Sequence, residues 1–157
     1  MKISIIAVGR LKERYLKDAV AEYTKRLSRF AAVDLIEIPD EKIPDNAGEK
    51  QQAQLLEKEG RQILQHIKDG YVIALCIEGR QLSSEELAKA ISDITLSSSR
   101  LYFIIGGSLG LSQEVKNRAQ LRLSFGKMTL PHQLMRVVLA EQVYRAFKIN
   151  ANEQYHK

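Results

Sequence analysis

Two short apolar runs, each cut off by a glycine loop and followed by a helix that is apolar nearly all round, restrict this chain to few architectures. Leu101 to Ile105 stops at Gly106-Gly107-Ser108-Leu109-Gly110. Leu121 to Phe125 stops at Gly126-Lys127-Met128-Thr129-Leu130-Pro131. Strands that end in glycine loops are how an open α/β sheet builds a ligand crevice at the carboxyl ends of its strands. The rest of the chain reads as support for those loops.

Taken in order, Lys2–Val8 is dense in Ile and Val and stops at Gly9, as a buried strand does. Tyr15, Leu16, Ala19, Val20, Tyr23 and Leu27 then repeat at helical spacing. Lys12, Arg14, Lys17, Lys25 and Arg26 give that helix a cationic outer surface, either a solvated face or one that tracks phosphates; periodicity does not separate the two. Val33–Ile38 is a second strand, closed by Pro39, and residues 40–48 form an acidic loop with Pro44, Asp45, Asn46 and Gly48. Gln52 to Ile67 reads as an amphipathic helix that Gly60 weakens by about 1 kcal/mol relative to Ala. His66, near its end, reads as a surface residue.

Tyr71–Ile77 is the third strand, and Cys76 inside it reads as a packed thiol. Ser83-Ser84-Glu85-Glu86 has the capping-box pattern and starts a helix carrying Leu87, Ala88, Ile91 and Ile94. Strand and helix alternate to the end, so the expected class is α/β: a single domain, residues 1–157, with a mainly parallel sheet of about five strands and helices on both faces. The last helix, Pro131 to Ile149, is apolar on more than one face, which predicts a homodimer with this helix at the interface. The longest early apolar run, Ile3–Val8, is too short for a signal peptide or membrane span, which predicts a cytoplasmic protein.

Charge is unevenly spread. Residues 1–30 hold eight Lys/Arg against three acids, residues 31–60 three against eight, and residues 121–157 six against two. Basic ends suit a protein that meets a polyanion, although a net charge of +5 also serves plain solubility.

The first glycine loop matches G-x-S-x-G, the nucleophile elbow of serine hydrolases, with Ser108 as nucleophile. A triad would then need Glu114, Glu141 or Glu153 with His132 or His156, since no Asp follows Asp93; hydrolases of that fold also need considerably more chain. The alternatives are a main-chain ligand cradle or a plain tight turn. The loop is neither a dinucleotide nor a triphosphate fingerprint. With His66, His132 and His156 scattered and one Cys, no metal-ligand pattern is present. His132, at a helix start beside the second loop, is either packed or a polar member of the crevice. The tail Tyr155-His156-Lys157, with Arg136, Arg145 and Lys148 on the final helix, either frays or stacks on a base and grips phosphate.

The combination of IIGGSLGL, LSFGKMTLPHQLMRVVLAEQVYRAFKI and the YHK end, preceded by KISIIAVGRLKERY and IEIPDEK, resembles the ribosomal RNA large subunit methyltransferase H family of SPOUT methyltransferases over the whole chain. The resemblance implies a trefoil-knotted fold, with knot and cofactor loops within about 73–149 and a basic tail at 150–157. It implies cytoplasmic homodimers that use S-adenosyl-L-methionine to methylate N3 of pseudouridine 1915 in 23S rRNA within the ribosome. It puts the cofactor contacts on Leu75, Gly106, Phe125, Gly126, Lys127, Met128, Thr129 and Leu130. Leu109 departs from the family pattern, which has a polar residue there. On this reading His132, Tyr155 and His156 orient the base or assist proton loss, and Arg136, Arg145 and Lys157 hold RNA phosphates. A non-catalytic RNA- or ribosome-binding protein would use the same basic surfaces without a small-molecule pocket.

Overall fold

The computed structural model describes residues 1–157. Strands and helices alternate: β1 (Lys2–Val8), α1 (Arg14–Leu27), β2 (Ala32–Ile38), α2 (Glu49–Gln65), β3 (Tyr71–Gln81), α3 (Ser84–Ser97), β4 (Arg100–Ile105), α4 (Gln113–Arg118), β5 (Leu121–Ser124) and α5 (His132–Asn150). The strands form one sheet in the order β2-β1-β4-β3-β5, and every pairing is parallel. A parallel sheet is covered on both faces, so its central strands must be apolar without alternation. That is why β1 is buried from Ile3 to Val8 and β4 from Leu101 to Ile105.

Two apolar layers result. On one face Ile3, Ile5, Phe103 and Ile105 pack with Leu87 and Ile91 of α3 and Leu139 and Val143 of α5. On the other, Ile6, Val8, Tyr102 and Ile104 pack with Ile63 of α2 and Val115 of α4. Helix α1 lies against α5 through Leu16, Val20 and Val137. Five strands with helices on both faces is the expected class.

Three local features depart from the expected element bounds. Strand β3 runs on to Gln81 instead of ending at Ile77, because it meets β5 twice: Leu123 stands opposite both Leu75 and Arg80, and the chain between them bows outward. The bow presses Gly79 so close to β5 that a Cβ would lie 2.8 Å from the Arg122 carbonyl, and glycine avoids the collision. Helix α4 has no counterpart in the periodicity, since only Val115 among its six residues is buried; its start is fixed by the Ser112 hydroxyl accepting from the Val115 N–H. Helix α2 begins at Glu49, before the first apolar residue of its repeat.

Candidate active site

The carboxyl ends of β3, β4 and β5 enclose a cleft of about 340 Å³. That is within the range of small-molecule sites, roughly 300–1,000 Å³. The bow of β3 supplies one wall with Leu75, Cys76 and Ile77; the first glycine loop supplies a second; and the segment after β5 supplies the third. Seven of the eight cofactor residues read from the sequence line it: Leu75, Gly106, Phe125, Gly126, Met128, Thr129 and Leu130. The exposed Lys127 does not. Leu109, the departure from the family pattern, stands on the same rim.

Both loops present main chain. A Cβ on Gly106 would lie 2.7 Å from the Gly110 carbonyl carbon and 3.1 Å from Leu111, so the loop closes only around glycine. Gly110 donates to the Gly107 carbonyl at 3.0 Å. In the second loop Gly126 sits at φ +127, a backbone region side chains avoid, and donates to the Ser124 hydroxyl at 3.2 Å. The N–H groups of Ser108, Leu109 and Lys127 to Leu130 donate to nothing within the chain. Apolar walls with free amides suit an adenine and its ribose.

The hydrolase reading fails on geometry. Ser108 is exposed and bonds to no histidine or carboxylate, while Glu141 is paired with Arg145, and Glu153 with Arg29 and Lys148. Cys76 also lines the cleft, yet burial, with Glu78 beside it, pushes its thiol above the ordinary range, so it stays protonated and packed.

His132 opens α5 at the edge of the cleft. Burial, and then the Arg136 guanidinium one helical turn on, hold its imidazole below the ordinary histidine range; Asp40 opposes them weakly. It is therefore neutral at pH 7, with a lone pair to accept a proton. Its Nε2 comes within 3.8 Å of where a Gly9 Cβ would stand.

Arg136 corrects the sequence reading. It is fully buried, not on an RNA-facing surface. Nη2 donates to the carbonyls of Val8 and Gly9 at 2.9 and 2.7 Å, and Nη1 pairs with Glu37 at 3.0 Å. Glu37 also accepts from the Leu11 N–H at 2.7 Å. The guanidinium thus pins the start of α5 to the ends of β1 and β2 and cannot reach a phosphate. Glu37 carries no signal of this role in the sequence, and Gly9 reads there only as the end of a strand. The missed signal was a lone cation in the apolar stripe Leu139, Ala140, Val143 and Ala146, at helical spacing from Arg136.

The tail lies apart from the cleft. The Tyr155 hydroxyl donates to Glu141 at 3.1 Å, and Arg145 lies 4.7 Å over its ring. Burial and Glu141 push that hydroxyl up to about 12, so it does not serve as a base near neutrality. His156 lies between Arg145 and Glu85, 2.7 Å from the latter, and Lys157 is exposed. The three residues grouped as catalytic from the sequence therefore separate into His132 at the cleft and Tyr155 with His156 beyond it. No three His, Cys, Asp or Glu side chains are grouped to hold a metal, and no helix is long and apolar enough to cross a membrane.

A parallel α/β sheet whose last strands end in two main-chain loops around one cleft is built to hold a small molecule between amide donors and apolar walls. The family model described as "Predicted SPOUT methyltransferase" matches residues 1–156. Among curated relatives, the ribosomal RNA large subunit methyltransferase H of Bifidobacterium animalis subsp. lactis (strain AD011) is 60% identical, and that of Clostridium novyi (strain NT) 58%, each covering 100% of both chains. The chain belongs to the ribosomal RNA large subunit methyltransferase H family of SPOUT methyltransferases. Solved structures match in fold. A "probable methylase family protein" from Haemophilus influenzae Rd KW20 aligns with TM-score 0.52 at 11% identity, over 96% of this chain and 66% of that one. A "putative methyltransferase Lpg2936 from Legionella pneumophila in complex with the bound cofactor SAM" aligns with TM-score 0.53 at 14% identity, over 94% of this chain and 66% of that one. The trefoil knot implied by the sequence resemblance goes with this fold family.

Proposed function

We propose that this chain transfers a methyl group from S-adenosyl-L-methionine to N3 of pseudouridine 1915 in 23S rRNA, acting on the ribosome in the cytoplasm. The observation that carries the reading is the cleft itself: two glycine loops with unengaged amides, closed by apolar walls from Leu75, Met128 and Leu130. The names of the full-length relatives at 58–60% identity support a ribosomal RNA substrate. When bound, the cofactor supplies a methyl already activated on a sulfonium, so the chemistry calls for neither a metal nor a covalent enzyme nucleophile. Leu75, Gly106, Phe125, Gly126, Met128, Thr129 and Leu130 line the cleft and would hold it, while the exposed Lys127 lies outside that lining. The loops exclude water and fix the line of approach.

N3 of the base carries a weakly acidic proton. His132, neutral and at the cleft edge, is placed to accept it or to stabilise the emerging anion. Tyr155 and His156 are assigned to orienting RNA beside the exposed Lys157, which forms no ion pair and is assigned to phosphate, whereas Arg145 is held by Glu141. The homodimer belongs to the same proposal: on α5, Leu134 is 38% exposed, and Met135 and Val138 are only partly covered. The test incubates purified protein and labelled donor with ribosomes from cells lacking the activity, followed by mass spectrometry of the rRNA nucleosides. Methyl on N3 of that pseudouridine is expected. Label in another nucleoside, or none in 23S rRNA, overturns the proposal.

A further inference from the structure

Burial of Arg136 leaves open which cations meet the RNA, and the distribution of ion pairs answers it. Around the tail nearly every cation is already paired: Arg145 with Glu141 at 2.5 Å, and Arg29, at 2.8 Å, and Lys148 both with Glu153. A phosphate arriving there must displace a carboxylate. The segment joining β1 to α1 is the reverse. Arg10, Lys12 and Lys17 form no ion pair, and Arg14 reaches Asp18 only at 3.9 Å, with side chains 95% and 74% exposed. Pairs so loose and solvated are worth little.

Within the same turn Tyr15 is 69% exposed, whereas of the nine other Tyr and Phe side chains only Phe125, at 36%, is exposed. Exposed cations beside an exposed ring are what a single-stranded nucleic acid uses, phosphates on the former and a base on the latter. The position supports the same occupant. The Lys12 N–H donates to the side chain of Gln133 at 3.3 Å, next to His132, and Gly9, just before Arg10, stands against the His132 ring. The patch therefore runs directly into the rim of the cleft.

We infer that Arg10, Lys12, Arg14 and Tyr15 form the RNA-docking edge of the site, gripping the strand next to the target base. The inference rests on the proposed rRNA methyltransferase reading. All four side chains are exposed, so substitution leaves the core intact.

The test measures ribosome affinity by co-sedimentation across a salt series, together with methyl transfer and donor affinity by calorimetry. The triple variant Arg10→Ala/Lys12→Ala/Arg14→Ala should bind ribosomes at least tenfold more weakly, with a log–log salt slope shallower by about 2–3. Donor affinity should stay within twofold. Tyr15→Ala should lose at least fivefold in ribosome affinity, with Tyr15→Phe close to wild type, because stacking needs the ring and not the hydroxyl. Lys25→Ala, an exposed cation at the far end of α1, is the control. Wild-type affinity and slope in the triple variant, or an equal loss in Lys25→Ala, overturns the inference. Should wild-type protein bind ribosomes but methylate none, the catalytic reading falls, and the docking edge is still decided by the affinities.

Discussion

At the scale of single residues, one side chain does different work from what its type suggests. Arg136 looks like a nucleic-acid contact and is a structural clamp. Removing one partner of a buried ion pair strands the others, here the Val8 and Gly9 carbonyls and Glu37. Arg136→Gln should cost about 3 kcal/mol in urea unfolding. Glu37→Gln should cost less, since Glu37 is 35% exposed and water can replace part of the pair. His132→Ala should leave donor affinity within about threefold and lower methyl transfer by roughly 10²–10⁴, the span of a lost general base. The pH dependence has a definite sign. Because burial and Arg136 lower the His132 pKa, the neutral form persists below the ordinary histidine range. Activity should hold as pH falls through 6.5 and fail only below it. A wild-type acid limb at or above 6.5 contradicts the neutral-imidazole role. Gly106 is tied to the loop by its lack of a side chain: Gly106→Val should abolish donor binding by calorimetry while far-UV circular dichroism is kept.

At the scale of elements, legibility followed how each segment is stabilised. β1, β4 and α3 are read directly, because an unbroken apolar strand and a capping box are local signals; the Ser83–Glu86 box is present with both bonds made. The overrun of β3 and the existence of α4 depend on partners distant in sequence, so no periodicity announces them: Glu78 to Gln81 are polar or glycine and extend only because β5 lies beside them. The two glycine loops were legible as a crevice from sequence, but the side chain that anchors its edge, Arg136, was not, since its partners come from β1 and β2. Gly60 shows the same contrast. Propensity alone makes Gly60→Ala stabilising by about 1 kcal/mol. In the fold, a Cβ there collides with the Ser112 side chain that caps α4 and meets Val115 at 3.4 Å. Gly60→Ala should therefore lower the melting temperature, and a rise would show that α4 yields freely.

At the scale of the whole molecule, the charge asymmetry of the chain resolves into geometry. The basic first thirty residues place free cations beside the cleft, whereas most of the tail's cations are consumed within the chain. The apolar α5 is covered on one side by the sheet, α1 and α3, and its remaining face is assigned to a second copy. Sedimentation equilibrium should give twice the chain mass of 17.8 kDa, and Leu134→Glu should shift the population toward 17.8 kDa. A wild-type protein that sediments as a monomer at micromolar concentration would leave α5 with another role. The central claim, that the paired glycine loops hold the methyl donor, is tested most directly by a crystal structure with S-adenosylhomocysteine. The account predicts the adenine between residues 106–110 and 126–130, with the sulfur facing the His132 edge. Density for the ligand anywhere else on the chain would contradict it.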